Sequence, residues 1–349
     1  MFSFLLKKAL LAGATIITVS SLVIILISWA PVDPARINFG QMADEKTVAE
    51  LRQRFFLDKP VHIQILRYLG DLSPLQIVSQ TDPRIIDYKH IKICAIHEFQ
   101  FIIKWPYLRR SFVSGSLVSE LIYKSIVPTF VLSVAALFIS FVLGIILGWY
   151  AAVKRNSTAD KLIIFFTSLL YSIPSFVMAI FVSLLLGYYL GWLPIQGSLW
   201  DLNDKGEQQL YIQNLILPIL ALSLRPLSQI TQMSRSAVLE TMGSSFLLTA
   251  KAKGLSQNQI VLYHTLKNAM NPLLTVAGSW FASLLAGAFF VEFVFNFKGM
   301  GLLTIQAVNQ FDIPLLTGCC IITVCLFIGV NLVTDLLYAV IDPRVKVRG

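Results

Sequence analysis

The chain has 349 residues, of which 56% are hydrophobic and only 13% are charged, and its formal net charge at pH 7 is +9. Soluble domains carry about 25% charged residues, so this composition excludes a water-soluble fold. The apolar residues occur in long blocks, which indicates an integral membrane protein. In a membrane protein, the side on which the positive residues lie indicates the orientation in the membrane. We therefore interpret the excess in that way and expect no nucleic-acid partner.

Six apolar segments are each long enough to cross a bilayer, which takes about 20 helical residues. In chain order they are 9–30, 125–153, 162–190, 212–233, 271–291 and 313–341. The fourth is the weakest, because Arg225 and Pro226 interrupt it. The first ends in a sequence that resembles a signal-peptide cleavage site, but its 22 residues exceed the roughly 7–15 apolar residues of a signal peptide. The sequence therefore predicts an all-α membrane protein with six transmembrane helices.

The basic residues lie mostly on one side of the six predicted helices. The pieces predicted to face the cytoplasm hold twelve Lys and Arg and three acidic residues, and so account for the whole excess of +9; they are 1–8, 154–161, 234–270 and 342–349. The short loops 191–211 and 292–312 on the other side hold one lysine each. Positive residues concentrate on the cytoplasmic side. We therefore expect an N-in/C-in topology with a long extracytoplasmic loop over 31–124.

The predicted cytoplasmic pieces are too short for a soluble domain. The longest has 37 residues, and the chain contains no G-x-x-x-x-G-K-[ST] phosphate-binding loop. Any ATP that this protein uses is therefore expected to be hydrolysed by another chain. We expect neither an enzymatic activity nor a cofactor in this one.

The predicted cytoplasmic loop 235–272 carries the most informative pattern. Apolar residues recur every four positions from Val238 to Phe246, which is typical of one face of a helix. Gly254 follows two lysines and is a typical helix stop, and Ser256 is a suitable N-cap for a second helix. Two short helices joined at a glycine would present an apolar and basic surface. From the pattern alone, this surface could bind a protein or lie on the lipid.

Two blocks of this loop carry a family resemblance. T-A-K-A-K-G-L at 249–255 and H-T-L-K-N-A at 264–269 resemble T-A-R-A-K-G-L and H-A-L-[RK]-N-A in the coupling loop of ABC-importer permeases of the peptide and nickel branch. The glutamate of the general family pattern is replaced by Leu248, as is usual in that branch. The resemblance implies that the ATPase-coupling residues are Glu240, Phe246, Leu248, Thr249, Ala250, Lys251, Lys253, Gly254, His264 and Lys267.

Further blocks resemble the same branch in the same order along the chain. They are W-A-P-V-D-P at 29–34, L-D-K-P at 57–60, Y-L-G-D-L at 68–72, I-P-S-F at 173–176, P-I-L-A-L-S-L at 218–224 and D-L-L-Y-A-V-I-D-P-R at 335–344. The segment from Glu292 to Gly301 resembles V-E-x-x-F-x-x-P-G-x-G, with Lys298 in place of the proline. The resemblance marks as signature or structural positions Pro174, Glu292, Gly299, Gly301, Asp335, Asp342 and Pro343.

The resemblance implies the type I ABC importer permease fold in a bacterial plasma (inner) membrane. It divides the chain into a tail and first helix (1–30), the extracytoplasmic loop (31–124), a permease core (125–341) and a cytoplasmic tail (342–349). The implied partners are a second homologous permease, two cytoplasmic ABC ATPases that hold ATP-Mg, an extracytoplasmic substrate-binding protein and the lipid bilayer. The implied cargo is di- or oligopeptides, with nickel or another small solute as the alternative. A stand-alone secondary transporter or channel is the competing class.

The extracytoplasmic loop departs from the branch pattern by an insertion at about 73–106. It contains His90, Cys94 and His97, whose side chains would suit a zinc or nickel ion if they met on a helix. The alternation of Ile91 with Ile93 is instead typical of a strand, which would scatter these side chains. We therefore expect a solvated, partly β lobe and no metal site.

Several residues within the predicted spans suggest packing or function. Pro174, Pro218 and Pro272 permit kinks, and the small-residue stripes Gly144-x3-Gly148 and Gly278-x3-Ala282-x3-Ala286 permit close helix packing. Asp335, near the predicted inner end of the sixth span, is expected to be an anchor or to pair with a basic residue. Arg225 either ends the fourth span or is a charge that faces a cavity, and the sequence favours neither.

Overall fold

The computed structural model describes residues 2–29, 52, 58–79, 85, 87–88, 90–96, 99–202, 205–242 and 266–341. Over these residues the helices are α1 (Phe2–Trp29), α2 (Val61–Leu72), α3 (Val118–Val153), α4 (Thr158–Ser172), α5 (Ser175–Val182), α6 (Ile216–Met242), α7 (Leu266–Gly287), α8 (Phe289–Val294), α9 (Met300–Asn309) and α10 (Ile313–Ile341). The strands are β1 (Leu75–Ser79), β2 (His90–Ile96), β3 (Phe99–Lys104), β4 (Trp200–Leu202) and β5 (Gln208–Leu210). A π-helical segment (Ser183–Tyr189) continues α5, and a 3-10 turn (Ile212–Leu215) leads into α6.

The chain divides into two compact units. The lobe unit comprises residues 5–125 and 303–324, and the core unit comprises residues 1–4, 126–302 and 325–349.

Three described helices contain a stretch that is long and apolar enough to cross a bilayer, namely Lys8–Leu26 in α1, all of α3, and Ile313–Leu336 in α10. A fourth stretch is a bent pair, formed by α4 and Ser175–Tyr189. Pro272–Ala286 in α7 is apolar but shorter. The described residues therefore show three or four candidate spans by length and composition, and the total of six stays a prediction.

The predicted third span is not one straight helix. α4 and Ser175–Tyr189 meet at an angle of 103°. Pro174 forces this break, because its ring disfavours the helical conformation in the preceding residue, and Ile173 is extended at φ −82° and ψ 126°. The expected kink at a proline is thus confirmed at Pro174, where it is a sharp corner.

The predicted fourth span is not interrupted. α6 runs without a break for 27 residues through Arg225 and Pro226. A proline inside a helix removes one hydrogen bond and disturbs the carbonyls of the preceding turn. Here the Ser140 hydroxyl donates a hydrogen bond to the carbonyl oxygen of Ser223 (2.7 Å). Neighbouring hydroxyls can bind carbonyls of the turn before a proline in a membrane helix. Because α6 continues to Met242, Arg225 does not mark the end of the fourth helix.

The core unit packs around α6, which buries Leu217 and Ala221 in one apolar cluster and Ile230 in a second. α4, α5 and α7 all contact it. The described part of the core unit also contains the small β4–β5 hairpin, which is antiparallel and pairs Trp200 with Leu210. The predicted helical membrane fold is confirmed, but the prediction that it is all-α is wrong for the described residues, because this hairpin adds two short strands to the core unit.

The insertion in the lobe unit forms an antiparallel sheet of three described strands in the order β1-β3-β2. One face buries Val78 and Ile102 against Tyr88. The other face leaves Leu75, Ile91, Ile93, Phe101, Ile103 and Trp105 exposed. The alternation of apolar residues predicted a strand at β2, and this is confirmed.

A buried carboxylate organises the lobe unit. Asp71, at the end of α2, is fully buried and accepts hydrogen bonds from Arg109 Nε (2.8 Å) and the Tyr88 hydroxyl (3.0 Å). Its main-chain oxygen accepts a hydrogen bond from Lys104 Nζ (2.6 Å). Buried charges are tolerated when they are paired and hydrogen-bonded in this way. Asp71 therefore joins α2 to β3 and to the segment that leads into α3.

Candidate functional site

The predicted coupling loop, 235–272, is described only at its two ends. α6 carries its first residues to Met242, with Glu240 exposed in the last turn, and α7 contains Lys267 in its first turn. The other predicted coupling residues lie outside the described residues; they are Phe246, Leu248, Thr249, Ala250, Lys251, Lys253, Gly254 and His264. Their role stays a prediction.

An ion pair holds the first residue of this loop. Arg235 Nε lies 2.7 Å from Asp160 Oδ1, and Arg235 Nη2 lies 2.8 Å from Asp160 Oδ2. Asp160 also accepts a hydrogen bond from the Asn156 main-chain N–H (2.9 Å). Two parallel N–H···O bonds fix both position and orientation. The pair therefore joins the predicted inner loop 154–161 to the start of the predicted coupling loop, a link that the sequence analysis missed because its partners are 75 residues apart.

Arg225 is held in the middle of the core unit by two other helices. Its Nε donates a hydrogen bond to the carbonyl oxygen of Tyr171 at the end of α4 (3.3 Å). Its guanidinium carbon lies 5.4 Å from the ring centre of Tyr171 and 5.8 Å from that of Trp280 on α7. These distances suit cation–π contacts. Among the described residues no acidic side chain pairs with Arg225.

Arg225 belongs to a polar stripe along α6. Arg225, Gln229, Gln232 and Ser236 follow one another at spacings of four, three and four, and none of them is buried. Residues at these spacings lie on the same face of a helix. The Trp280 indole N–H donates a hydrogen bond to Gln229 Oε1 (2.6 Å), and Gln232 Nε2 lies 3.4 Å from the Ser168 hydroxyl on α4. The stripe is therefore linked to both neighbouring helices.

Those neighbouring helices also present hydroxyl groups. Ser168 and Ser172 lie one turn apart and exposed on α4, and Thr275, Ser279 and Ser283 do so on α7. Charged and strongly polar groups inside a membrane protein mark the faces that line water-filled or substrate-binding spaces, because lipid solvates them poorly. We define the Arg225 cluster by the residues that these contacts connect, which combine one positive charge with several hydrogen-bonding groups; they are Ser168, Tyr171, Arg225, Gln229, Gln232 and Trp280.

The signature glutamate forms a second polar centre in the core unit. Glu292 in α8 is fully buried and accepts hydrogen bonds from the Thr129 hydroxyl (2.7 Å) and from the main-chain N–H groups of Gly301 (2.7 Å) and Leu302 (3.2 Å). The N–H of Met300 donates to Thr129 Oγ1 (2.8 Å). Because the first N–H groups of a helix have no partner within it, Glu292 and Thr129 together cap α9.

The two signature glycines are required by this packing. A β-carbon at Gly299 would lie 2.5 Å from a carboxylate oxygen of Glu292, and one at Gly301 would lie 2.5 Å from Phe289 Cα. Between Glu292 and these two glycines, Lys298 occupies the position where the family pattern has a proline. Its main-chain N–H donates to the Ser198 hydroxyl (3.2 Å), and its Nζ lies 2.9 Å from Asp201. A proline could not make the first of these bonds.

The small-residue stripes are close contacts in the structure. A β-carbon at Gly148 of α3 would contact the carbonyl oxygen of Thr231 and lie 2.6 Å from Ser234 Cβ of α6. One at Gly278 of α7 would lie 2.5 Å from Thr334 of α10. The packing interpretation of these glycines is therefore confirmed. Asp335 is half-buried in α10, and Asp342 and Pro343 lie outside the described residues.

The structure describes two of the three candidate metal residues. His90 and Cys94 are on β2, where His90 Nδ1 lies 2.9 Å from the Tyr88 carbonyl oxygen, and His97 lies outside the described residues. In the part of the chain that the structure describes, no three His, Cys, Asp or Glu side chains are grouped to hold a metal ion.

Comparison with known families decides the class of the protein. A family model for the inner membrane component of binding-protein-dependent transport systems matches residues 142–347, and a model for the N-terminal part of that component matches residues 1–83. The chain belongs to this family. The larger match contains the Arg225 cluster, the Asp160–Arg235 pair and Glu292, whereas Thr129 lies before it.

Full-length relatives and a solved structure agree with this assignment. A putative peptide permease protein of Brucella ovis is 33% identical, over 99% of this chain and 100% of its own length. The glutathione transport system permease protein GsiC of Salmonella paratyphi A is 31% identical over the whole of both chains. A chain of the inward-facing MetNI methionine ABC transporter matches with a TM-score of 0.54 and 17% identity, over 64% of this chain and 97% of that one. The chain thus has an ABC importer permease fold.

Proposed function

We propose that this chain is one of two permease subunits of an ATP-driven peptide importer. The observation that carries the proposal is the similarity over the whole chain to relatives named as peptide and glutathione permeases, at 31–33% identity. The Arg225 cluster supports it, since a peptide needs hydrogen-bond donors and acceptors along its path. The partners are a homologous permease, two cytoplasmic ABC ATPases that bind ATP-Mg, and an extracytoplasmic binding protein.

The mechanism rests on the loop 235–272 as the contact with the ATPases. α6 joins this loop to the Arg225 cluster within one unbroken helix. Arg235, at the start of the loop, is clamped to Asp160 by two hydrogen bonds. A displacement of the loop by ATPase closure would therefore act on α4 and α6 together. These two helices carry most of the polar groups of the cluster.

The whole chain is proposed to adopt six transmembrane helices with both termini in the cytoplasm. The support is the excess of +9, which falls on the predicted cytoplasmic pieces. The predicted extracytoplasmic loop 31–124, which contains the three-stranded sheet, then faces the bacterial periplasm or cell exterior. It is the part of the chain available to an extracytoplasmic binding protein.

Uptake by the complete importer tests the cargo. The permease, its cognate second permease, the ATPases and the binding protein are reconstituted in proteoliposomes, and labelled dipeptide, tripeptide, glutathione and Ni²⁺ are supplied separately. ATP-dependent accumulation of a peptide is the expected result. Accumulation of Ni²⁺ with no uptake of any peptide would contradict the peptide assignment and favour the nickel alternative.

The coupling assignment is tested in the same vesicles by Gly254→Asp. The change places a charge and a β-carbon where the sequence predicts a glycine joint between two helices, so stimulation of ATP hydrolysis by the loaded binding protein should be lost. Gly349→Asp adds the same charge to the predicted cytoplasmic tail and should leave stimulation intact. Normal stimulation in the Gly254 variant would refute the assignment of the coupling loop.

A further inference from the structure

We propose that Arg225 binds the C-terminal carboxylate of a peptide as it crosses the membrane. This rests on the proposed function as a peptide importer. No motif of the family resemblance contains Arg225, and no acidic side chain among the described residues pairs with its charge. The proposal stands on the position of the guanidinium group, on the atoms it leaves uncommitted and on the donors that surround it.

The guanidinium group is fixed in orientation but not saturated. Its Nε is bound to the Tyr171 carbonyl oxygen (3.3 Å), and the rings of Tyr171 and Trp280 lie within 5.4 and 5.8 Å. Within the described ranges, the two Nη groups make no hydrogen bond, and Arg225 is not buried. Two parallel N–H donors of this geometry match the two oxygens of a carboxylate.

A second donor lies one helical turn away on the same face of α6. Because the Trp280 indole can only donate, its bond to Gln229 (2.6 Å) assigns the bound atom as Oε1 and leaves the NH₂ group of Gln229 on the other side of the amide. Gln229 makes no other hydrogen bond within the described residues. The cluster therefore combines a charged fork with an amide donor, which would suit a carboxylate followed by the last peptide carbonyl.

The charge identifies the ligand group among those that a peptide offers. Arg225 lies within the predicted fourth span, where an unpaired positive charge is costly and is best placed toward a path for polar solutes. A peptide of any sequence has one obligatory anion, its C-terminal carboxylate. Recognition of that group would let one site serve peptides with different side chains, since no side-chain contact is needed.

A structural role for Arg225 is the competing explanation. The bond to Tyr171 could simply satisfy a carbonyl at the end of α4, where the helix breaks before Pro174. In that case, substitution of Arg225 would weaken the transport of every substrate equally. The two explanations differ in whether a moving peptide contacts the cluster, and in whether that contact needs a free carboxylate.

Photo-crosslinking during turnover tests the contact. Benzoylphenylalanine replaces Tyr171 in the complete importer, which is supplied with loaded binding protein, ATP and a labelled tripeptide. The matched control replaces Phe166, an exposed aromatic residue of the same helix, which is rotated from Tyr171 by about 140°. We expect label at position 171 and none at position 166. Uptake of the tripeptide without label at position 171 would overturn the proposal but leave the proposed function intact, whereas no peptide uptake by the wild type would refute the proposed function itself.

Arg225 variants test the dependence on charge. Arg225→Gln should lower crosslinking at position 171 at least about tenfold, because hydrogen bonds to charged groups are the strong ones, and Arg225→Lys should retain part of it. Crosslinking at the wild-type level in Arg225→Gln would overturn the proposal.

Where that variant fails to assemble with its partners, a competition experiment that keeps Arg225 decides. In the permease–ATPase complex without binding protein, unlabelled tripeptide should suppress crosslinking of the labelled tripeptide at position 171 at least about tenfold better than its C-terminal amide does. Equal suppression by the two would refute the carboxylate contact.

Discussion

Glu292 is the residue whose environment makes the clearest stability prediction. It lies at the start of the predicted outer loop 292–312, and burial raises its pKa from 4.5 to about 7 against the opposing effect of its three hydrogen-bond donors. A carboxyl group whose pKa is higher in the folded state holds its proton more tightly there. Its contribution to stability is therefore present below about pH 4.5 and is lost as the pH rises through about 7.

We expect the temperature at which the purified complex unfolds to decrease as the pH is raised from about 5 to about 8. The contribution of this group to the unfolding free energy should change by on the order of 3 kcal/mol over that range. Glu292→Gln should flatten that dependence, because an amide does not titrate. Glu120→Gln, at an exposed position in the first turn of α3, is the control and should leave the pH dependence unchanged. A Glu292→Gln protein with the wild-type pH dependence would contradict this assignment.

The partners of individual polar residues could not be predicted from the sequence. Glu292 was identified as a signature position, but its partner Thr129 is 163 residues away, and no local pattern connects them. The same holds for Arg225, whose contacts with Tyr171 and Trp280 depend on three helices packing together. Periodicity reports which face of an element is apolar, whereas polar partnerships arise only when the elements meet.

At the scale of elements, the apolar segments of the helices were predictable from the sequence, but which proline breaks its helix was not. Pro174 and Pro226 both lie in predicted spans, yet the chain turns by 103° at the first and runs on as helix through the second. The difference lies in the surroundings. The Ser223 carbonyl before Pro226 accepts a hydrogen bond from Ser140, whereas Ile173 before Pro174 adopts an extended conformation. Strand β2 was predictable from Ile91 and Ile93, because its alternation is a local pattern.

The contact between α3 and α6 yields a prediction at this scale. Gly148→Ala should destabilise the core unit by roughly 1–3 kcal/mol, because the new β-carbon meets the backbone of Thr231 and Arg235, which cannot move aside. Gly144→Ala should cost less, since its closest contact is the Ile230 side chain, 2.7 Å from Cγ2, and the nearest backbone atom, the Leu227 carbonyl oxygen, is 3.2 Å away. Gly329→Ala in α10 has no atom within 4 Å and is the control. The measurement is the unfolding midpoint of the complex in detergent, and equal midpoints for the three variants would show that close packing of α3 on α6 is not needed.

At the scale of the whole molecule, the charge distribution predicts the orientation in the membrane. The predicted cytoplasmic pieces carry the entire excess of +9, and a membrane-impermeant maleimide can locate them. We expect the natural Cys94, which is exposed in the lobe unit, to react from outside intact cells, and Cys94→Ser to abolish that reaction. Cys319 is buried in α10 and should not react in the folded protein.

A matched pair of new cysteines completes the topology test in a variant whose four natural cysteines are replaced. Arg155 and Lys205 are both exposed and basic, and the positive-inside rule places Arg155 in the cytoplasm and Lys205 outside. Lys205→Cys should therefore react in intact cells, and Arg155→Cys only after the membrane is permeabilised. The opposite pattern would reverse the orientation. It would also place the loop 235–272 away from cytoplasmic ATPases, because α4 begins just after Arg155 and its Asp160 is ion-paired to Arg235 at the start of that loop.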